Sequence, residues 1–422
     1  MPSFRIFSDA PISNSDADVL NFGPYAGALV DLACDVPITD LPFCIGLFGE
    51  WGSGKTSLMR LTRDKLHDRH IKTIWFNPWK YDRKEALWSA LITELVFTME
   101  ADAPNAVRFY KANERVYHML EAFVRGGLSA ASTPVGLKPL TDELFKTGRD
   151  SFQQSNAKEM WTFVRQFEDA FNQLVRAYLG RRSDRLVVFI DDLDRCLPEN
   201  AITVLESIKL FLDKSPCVFV VGADQAVIQY GLEKSYGATY ATRDYLEKII
   251  QVPIRMPRVV SQAVNSLWDE VKELPGYHDT AKELATQVLG LNLRQWKRFL
   301  NAYAMATAIA YRRGVRDSTA RAVTRAFVVL VGIRFPHLYD ELNKDPVIAE
   351  RFVSLIGAGG EEYNYGPRLA QTGLQHFSRY VEDKAIVEFL KTCWGFLGNA
   401  PQLGGETVTA TLLQEAFSCV PL

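Results

Sequence analysis

No stretch limits the possible folds as tightly as Gly49-Glu50-Trp51-Gly52-Ser53-Gly54-Lys55-Thr56. It meets the spacing G-x-x-x-x-G-K-[ST] at every fixed position. Phe43 to Phe48 before it is an apolar run of buried-strand length, and Thr56 to Arg63 after it continues as a helix. Strand, glycine loop and helix is the order that phosphate chemistry needs. The glycines let the backbone curl with its N–H groups inward, and the helix N-terminus adds partial positive charge. Gly49, Trp51, Gly52, Ser53, Gly54, Lys55, Thr56 and Ser57 form the expected cradle. Lys55 reaches for β- and γ-phosphates, and the Thr56 hydroxyl is a ligand for Mg²⁺. The competing reading is a chance loop, and its flanks argue against it.

A second anchor is Arg185-Leu186-Val187-Val188-Phe189-Ile190-Asp191-Asp192. A continuous apolar run ending in acids reads as a strand buried on both faces. Its acids then emerge at the carboxyl end, beside the phosphate loop. Asp191 is the expected Mg²⁺ ligand, against an ordinary strand-end turn residue. Cys217 to Asp224 is a further buried strand. Asp224 reads equally as a γ-phosphate sensor and as a plain helix cap.

Strands are expected at about 43–48, 73–77, 186–191, 217–223 and 252–256, joined by helices. The outcome is an α/β fold: a five-stranded parallel sheet with helices on both faces. The stretch between the two anchors exceeds what a bare nucleotide-binding core needs, so about 97–160 reads as a helical insertion. The expected domains are a lead-in at 1–42, a core at 43–258, an all-α lid at 259–345 and a tail or subdomain at 346–422. In the lead-in, Phe22 and Tyr25 either stack on a nucleotide base or pack their helix onto the core. In the lid, Arg294, Lys297 and Arg298 share one helix face, suited to a γ-phosphate or to solvent. Tyr311 to Arg325 is a basic stretch read mainly as a solvated face. The tail reads as polar and loop-rich.

Composition narrows the classes. The chain has 422 residues with 47% hydrophobic and 23% charged residues and a net charge of −2. Neither nucleic acid nor an anionic membrane surface gains a global argument from that charge. No uncharged apolar run reaches the ~18 residues of a membrane helix, and Met1 to Arg5 lacks a signal-peptide core. The six cysteines are scattered without a C-x-x-C pair. The expectation is a cytoplasmic protein with reduced thiols and no membrane partner.

Gly49 to Thr56 with Trp51, Phe76-Asn77-Pro78-Trp79, Leu87-Trp88 and Ile190-Asp191-Asp192-Leu193-Asp194-Arg195-Cys196 together resemble the KAP family of P-loop NTPases. Val221-Gly222-Ala223-Asp224, Tyr245 to Ile249 and Asn292-Leu293-Arg294 with Lys297 to Leu300 continue the likeness, which covers about residues 8–305. The resemblance implies an additional-strand P-loop NTPase core, related to AAA+ and STAND ATPases, with ATP and Mg²⁺ as cofactors. It implies Asp192 as the base, Asp224 as a first sensor, Arg294 as a second and Arg243 as an arginine finger acting in trans. Leu293 departs from the family's Pro, and Asp192 replaces the Glu common in AAA+ relatives. The insertion between the anchors lacks the membrane helices that many members carry there.

The function so implied is an ATP-hydrolysing, nucleotide-dependent switch, a component of bacterial anti-phage defence. Its partners are expected to be a protein encoded nearby and further copies of itself. The alternatives are an oligomeric motor or remodeller acting on nucleic acid or protein, and a weakly hydrolysing nucleotide-binding scaffold. No guanine-reading N-K-x-D occurs, which favours ATP.

Overall fold

The computed structural model describes residues 6–420 except 9, 12–17, 19, 82–83, 104–105, 115–116, 119–156, 181–183, 212–215, 237–245, 258–260, 361–363, 399–402, 404 and 406. The chain forms two compact units, residues 11–257 and residues 1–10 with 258–422.

The first unit is built on five parallel strands: β1 (Phe43–Phe48), β2 (Lys72–Phe76), β3 (Leu186–Ile190), β4 (Cys217–Ala223) and β5 (Val252–Arg255). Their order is β2-β3-β4-β1-β5. β4 thus lies between the strand that leads into the phosphate loop and the strand that ends in the acids, which is the additional-strand arrangement. β1, β3 and β4 are buried at every position, as apolar runs without alternation require. β5 alternates in burial and carries Pro253, which suits its place at the edge of the sheet.

Side-chain alternation assigns each strand to two cores. Leu186, Val188 and Ile190 point with Cys217, Phe219 and Val221 to one face, where Leu87, Leu91 and Leu95 of the helix Lys84–Ala101 meet them. Val187, Phe189, Val218 and Val220 point to the other. There they meet Leu58 and Met59 of the helix Lys55–Asp68 and Ala26, Leu29 and Val30 of the helix Gly23–Asp35. The long helix Ala157–Leu179 closes the first face through Phe171, Leu174 and Val175. Of the expected insertion, 119–156 lies outside the described residues.

The second unit is helical among the described residues. Leu293–Arg312 buries Trp296, Phe299, Leu300 and Tyr303. Thr319–Arg334 is buried continuously from Ala322 to Val331. Arg325 belongs to that buried run, which corrects the solvated-face reading at this position. Its guanidinium donates to Thr307 Oγ1 at 3.2 Å and lies over the Tyr303 ring. Arg312, Arg313 and Arg316 are exposed.

The segment read as a loop-rich tail is largely helical. Pro346–Gly357, Lys384–Leu397 and Ala410–Cys419 bury Phe352, Leu390 and Leu413. Tyr339 Oη donates to Val420 O at 2.8 Å, and Ala410 N donates to Glu350. Gly357, Gly359, Gly360 and Gly398 lie at or between helix ends, and Gly395 lies in the last turn of Lys384–Leu397. Residues 7 and 8 also belong to this unit. Phe7 exchanges two hydrogen bonds with Asn301, and Lys297 Nζ donates to Ser8 O at 2.9 Å.

Candidate functional site

Between β1 and the helix beginning at Lys55 the backbone turns through Gly52 and Gly54, at φ 86° and 92°. Only glycine takes that conformation without strain. Space reinforces the requirement at Gly54, where a Cβ would sit 2.7 Å from Phe22 Cε2. The following helix has Gly54 as its N-cap, with no side-chain cap and no acid in its first turn. Its first N–H groups and its dipole therefore face the loop uncompensated by any side chain of its own. Ser53 Oγ is buried there without a hydrogen-bond partner. Lys55 is buried too, and its Nζ donates to Gly49 O at 2.8 Å and Glu50 O at 3.1 Å.

The acids come from the carboxyl end of β3. Thr56 Oγ1 donates to Asp191 Oδ1 at 3.0 Å, so the two residues expected to hold Mg²⁺ are in contact. Burial, reinforced by the neighbouring Asp192 charge, pushes the Asp191 carboxyl up to about 6. Asp192 stands at φ 58°, a left-handed conformation that Asp tolerates better than most side chains. Its two oxygens are both engaged. Oδ2 accepts from Asn77 Nδ2 at 2.9 Å, and Oδ1 lies 2.7 Å from Arg195 Nε. Arg195 in turn stacks over the exposed ring of Trp79. Asp194 Oδ2 is 2.8 Å from Lys55 Nζ, with both side chains buried.

Lys55, Thr56, Asp191 and Asp192 are thus brought together by two parallel strands and the turns that follow them. Trp51 is exposed, and Ser57 is half-buried in the first helical turn. Asp224 accepts from Ala226 N at 2.9 Å, the capping geometry that was one of its two readings. Phe22 is 1% exposed and packed into the core under Gly54, whereas Tyr25 is 45% exposed. Arg294 and Lys297 are half-buried and Arg298 exposed on the helix Leu293–Arg312 of the other unit. Arg243 lies outside the described residues. Asn77, Asp194 and Arg195 carried no individual role from sequence. Asn77 follows Phe76, which pairs with Ile190, so strand pairing sets it beside the acids. That neighbourhood appears only once β2 and β3 are known to be adjacent.

The residues fit a magnesium nucleotide. An unpartnered buried hydroxyl, an uncapped helix N-terminus and a buried lysine suit phosphate oxygens. A hydroxyl and a carboxylate suit a hard cation that keeps several waters. Among the described residues no group of three or more His, Cys, Asp or Glu is placed to hold a metal. No helix of the described residues is long and apolar enough to cross a membrane.

The sheet order, the glycine loop and the acids define a P-loop nucleotide-binding protein. The chain belongs to the KAP family: the KAP family P-loop domain matches residues 22–310. It is 25% identical over 265 residues to the phage T7 exclusion protein of Escherichia coli, a match covering 59% of this chain and 34% of that protein. It therefore matches about a third of that relative's length. An uncharacterized protein of Methanocaldococcus jannaschii is 24% identical over 170 residues, covering 35% of this chain and 87% of that one. Among solved structures, the Aeropyrum pernix ORC1 protein in complex with DNA aligns with 14% identity over 97% of this chain and 94% of that one, at a TM-score of 0.39.

Proposed function

We propose that the chain binds ATP with Mg²⁺ on the Gly49–Thr56 loop, hydrolyses it, and uses the cycle as a switch. The observation that supports this best is the convergence of Lys55, Thr56, Asp191 and Asp192 at the carboxyl ends of β1 and β3. Phosphoryl transfer to water demands positioning and charge neutralisation more than covalent chemistry. Lys55 and the loop N–H groups hold the β- and γ-phosphates and neutralise charge there. Thr56 and Asp191 hold Mg²⁺, which when bound adds positive charge at the phosphate oxygens. Asp192 orients the attacking water, after giving up Arg195 or Asn77 as a partner. Asp224 and Arg294 act as phosphate sensors and Arg243 as a finger supplied to a neighbouring copy, the roles the family likeness implies.

The output of the switch goes to a partner protein, in defence against phage. The relation to a phage exclusion protein supports that setting. ATP turnover by purified protein tests the reading. Wild type should release phosphate, and Asp192→Asn should slow release by about a hundredfold or more, the scale of a lost general base. Equal rates in both proteins would remove Asp192 from the reaction.

A further inference from the structure

The ammonium of Lys55 has three N–H groups. Two point to Gly49 O and Glu50 O, and its remaining neighbour is the Asp194 carboxylate at 2.8 Å. A phosphate that takes the third N–H meets the Asp194 carboxylate already at the ammonium. The carbonyls belong to the loop itself. Asp194 comes from elsewhere, the short turn Leu193–Arg195 after β3. Its Oδ2 is buried and accepts no aligned hydrogen bond, so charge attraction alone holds it at the lysine. A buried carboxylate held in that way is displaced by a better anion at little cost in hydrogen bonds. A phosphate and a carboxylate on one ammonium would also repel each other.

We propose that Asp194 is an internal competitor for nucleotide phosphate: it occupies Lys55 when the loop is empty and is expelled when a phosphate arrives. The proposal rests on the nucleotide-binding reading above. Expulsion has a second consequence through the chain. Asp194 shares its turn with Arg195, which holds Asp192 Oδ1 at 2.7 Å. A phosphate that dislodges Asp194 moves the turn that restrains the water-orienting carboxylate. Occupancy of the loop and release of Asp192 are then one motion, and Trp79 under Arg195 carries it to an exposed surface.

The test is ADP binding by titration calorimetry, without Mg²⁺, to the full chain as wild type, Asp194→Asn and Asp194→Ser. Melting of each protein without nucleotide checks that it is folded. Both variants should bind ADP about tenfold more tightly than wild type, equivalent to about 1.4 kcal/mol, while melting at a lower temperature without nucleotide. Affinity and stability moving in opposite directions marks a competitor, since a merely structural residue would lower both. Unchanged or weaker binding, or loss of folding in both variants, overturns the proposal. A wild type that takes no ADP overturns the nucleotide reading itself, a result distinct from the first.

Discussion

Buried charge is handled differently in the two units. At the carboxyl ends of the sheet unit's strands it lies in side-chain pairs: Lys55 with Asp194, Thr56 with Asp191, Asp192 with Asn77 and with Arg195 of its own turn. In the helical unit Arg325 is lodged in packing, on the Thr307 hydroxyl and the Tyr303 ring. Beside it Tyr303 Oη donates to Gly276 O at 2.6 Å, and Gly276 N donates to Asp317. The first kind of partner can be exchanged for a ligand, because each pair is made by side chains at strand ends and not within packed helices. The second cannot be exchanged without opening the core. Buried charge marks a site where its partners are replaceable, and architecture where they are not.

The largest effect that would sharpen this contrast lies in the loop. Gly54→Val imposes a left-handed β-branched residue and drives its Cβ onto Phe22, which lies 2.7 Å away. It should cost roughly 3–5 kcal/mol in denaturant unfolding and abolish ATP binding. Next comes Asp191. Its folded carboxyl is raised to about 6, above its unfolded value, so without metal the native state holds the proton longer. Stability from this group is present below the unfolded value and lost as pH rises from about 4 to about 6. Relative to Asp191→Asn, metal-free wild type should lose roughly 2–3 kcal/mol across that window. A flat difference between the two proteins would break the account of Asp191 as a buried acid.

In the helical unit the prediction is structural only. Gly276 has φ 86°, and a Cβ there would lie 2.6 Å from Thr307 Cγ2. Gly276→Ala should destabilise by about 1–3 kcal/mol and leave ADP affinity unchanged. A matching loss of affinity would erase the distinction between the units. The smallest expected effect is at Arg321, which pairs with Glu415 at 2.9 Å and ties the last helix down. Arg321→Ala should cost about 0.5–1 kcal/mol on melting, since the pair is partly solvated.

Much of the sheet unit was legible because its signals are local. The glycine spacing and the apolar runs of β1, β3 and β4 state their roles within a few residues. The Lys55–Asp194 and Asn77–Asp192 pairs were not legible, because they join segments far apart in the chain. Asp194 reads as one more acid after a strand until the fold brings it to Lys55. Asp224 looked balanced between sensor and cap, and only geometry revealed its bond to Ala226. In the helical unit, Arg325 sat in a stretch rich in arginine, and composition said surface. From Ala322 to Val331 the helix Thr319–Arg334 is buried at every position, so its period there carries no solvent face to read. The last helices were hidden by glycines at or between their ends.

The central claim is that the charge cluster at the strand ends receives nucleotide phosphate. Equilibrium ATP binding to wild type and Lys55→Ala, each with and without Mg²⁺, tests it most directly. Wild type should bind, more tightly with Mg²⁺, and Lys55→Ala should lose about a hundredfold or more, the scale of removing a charge-assisted partner from a buried phosphate. Equal affinity in the two proteins would place the nucleotide elsewhere and contradict the account.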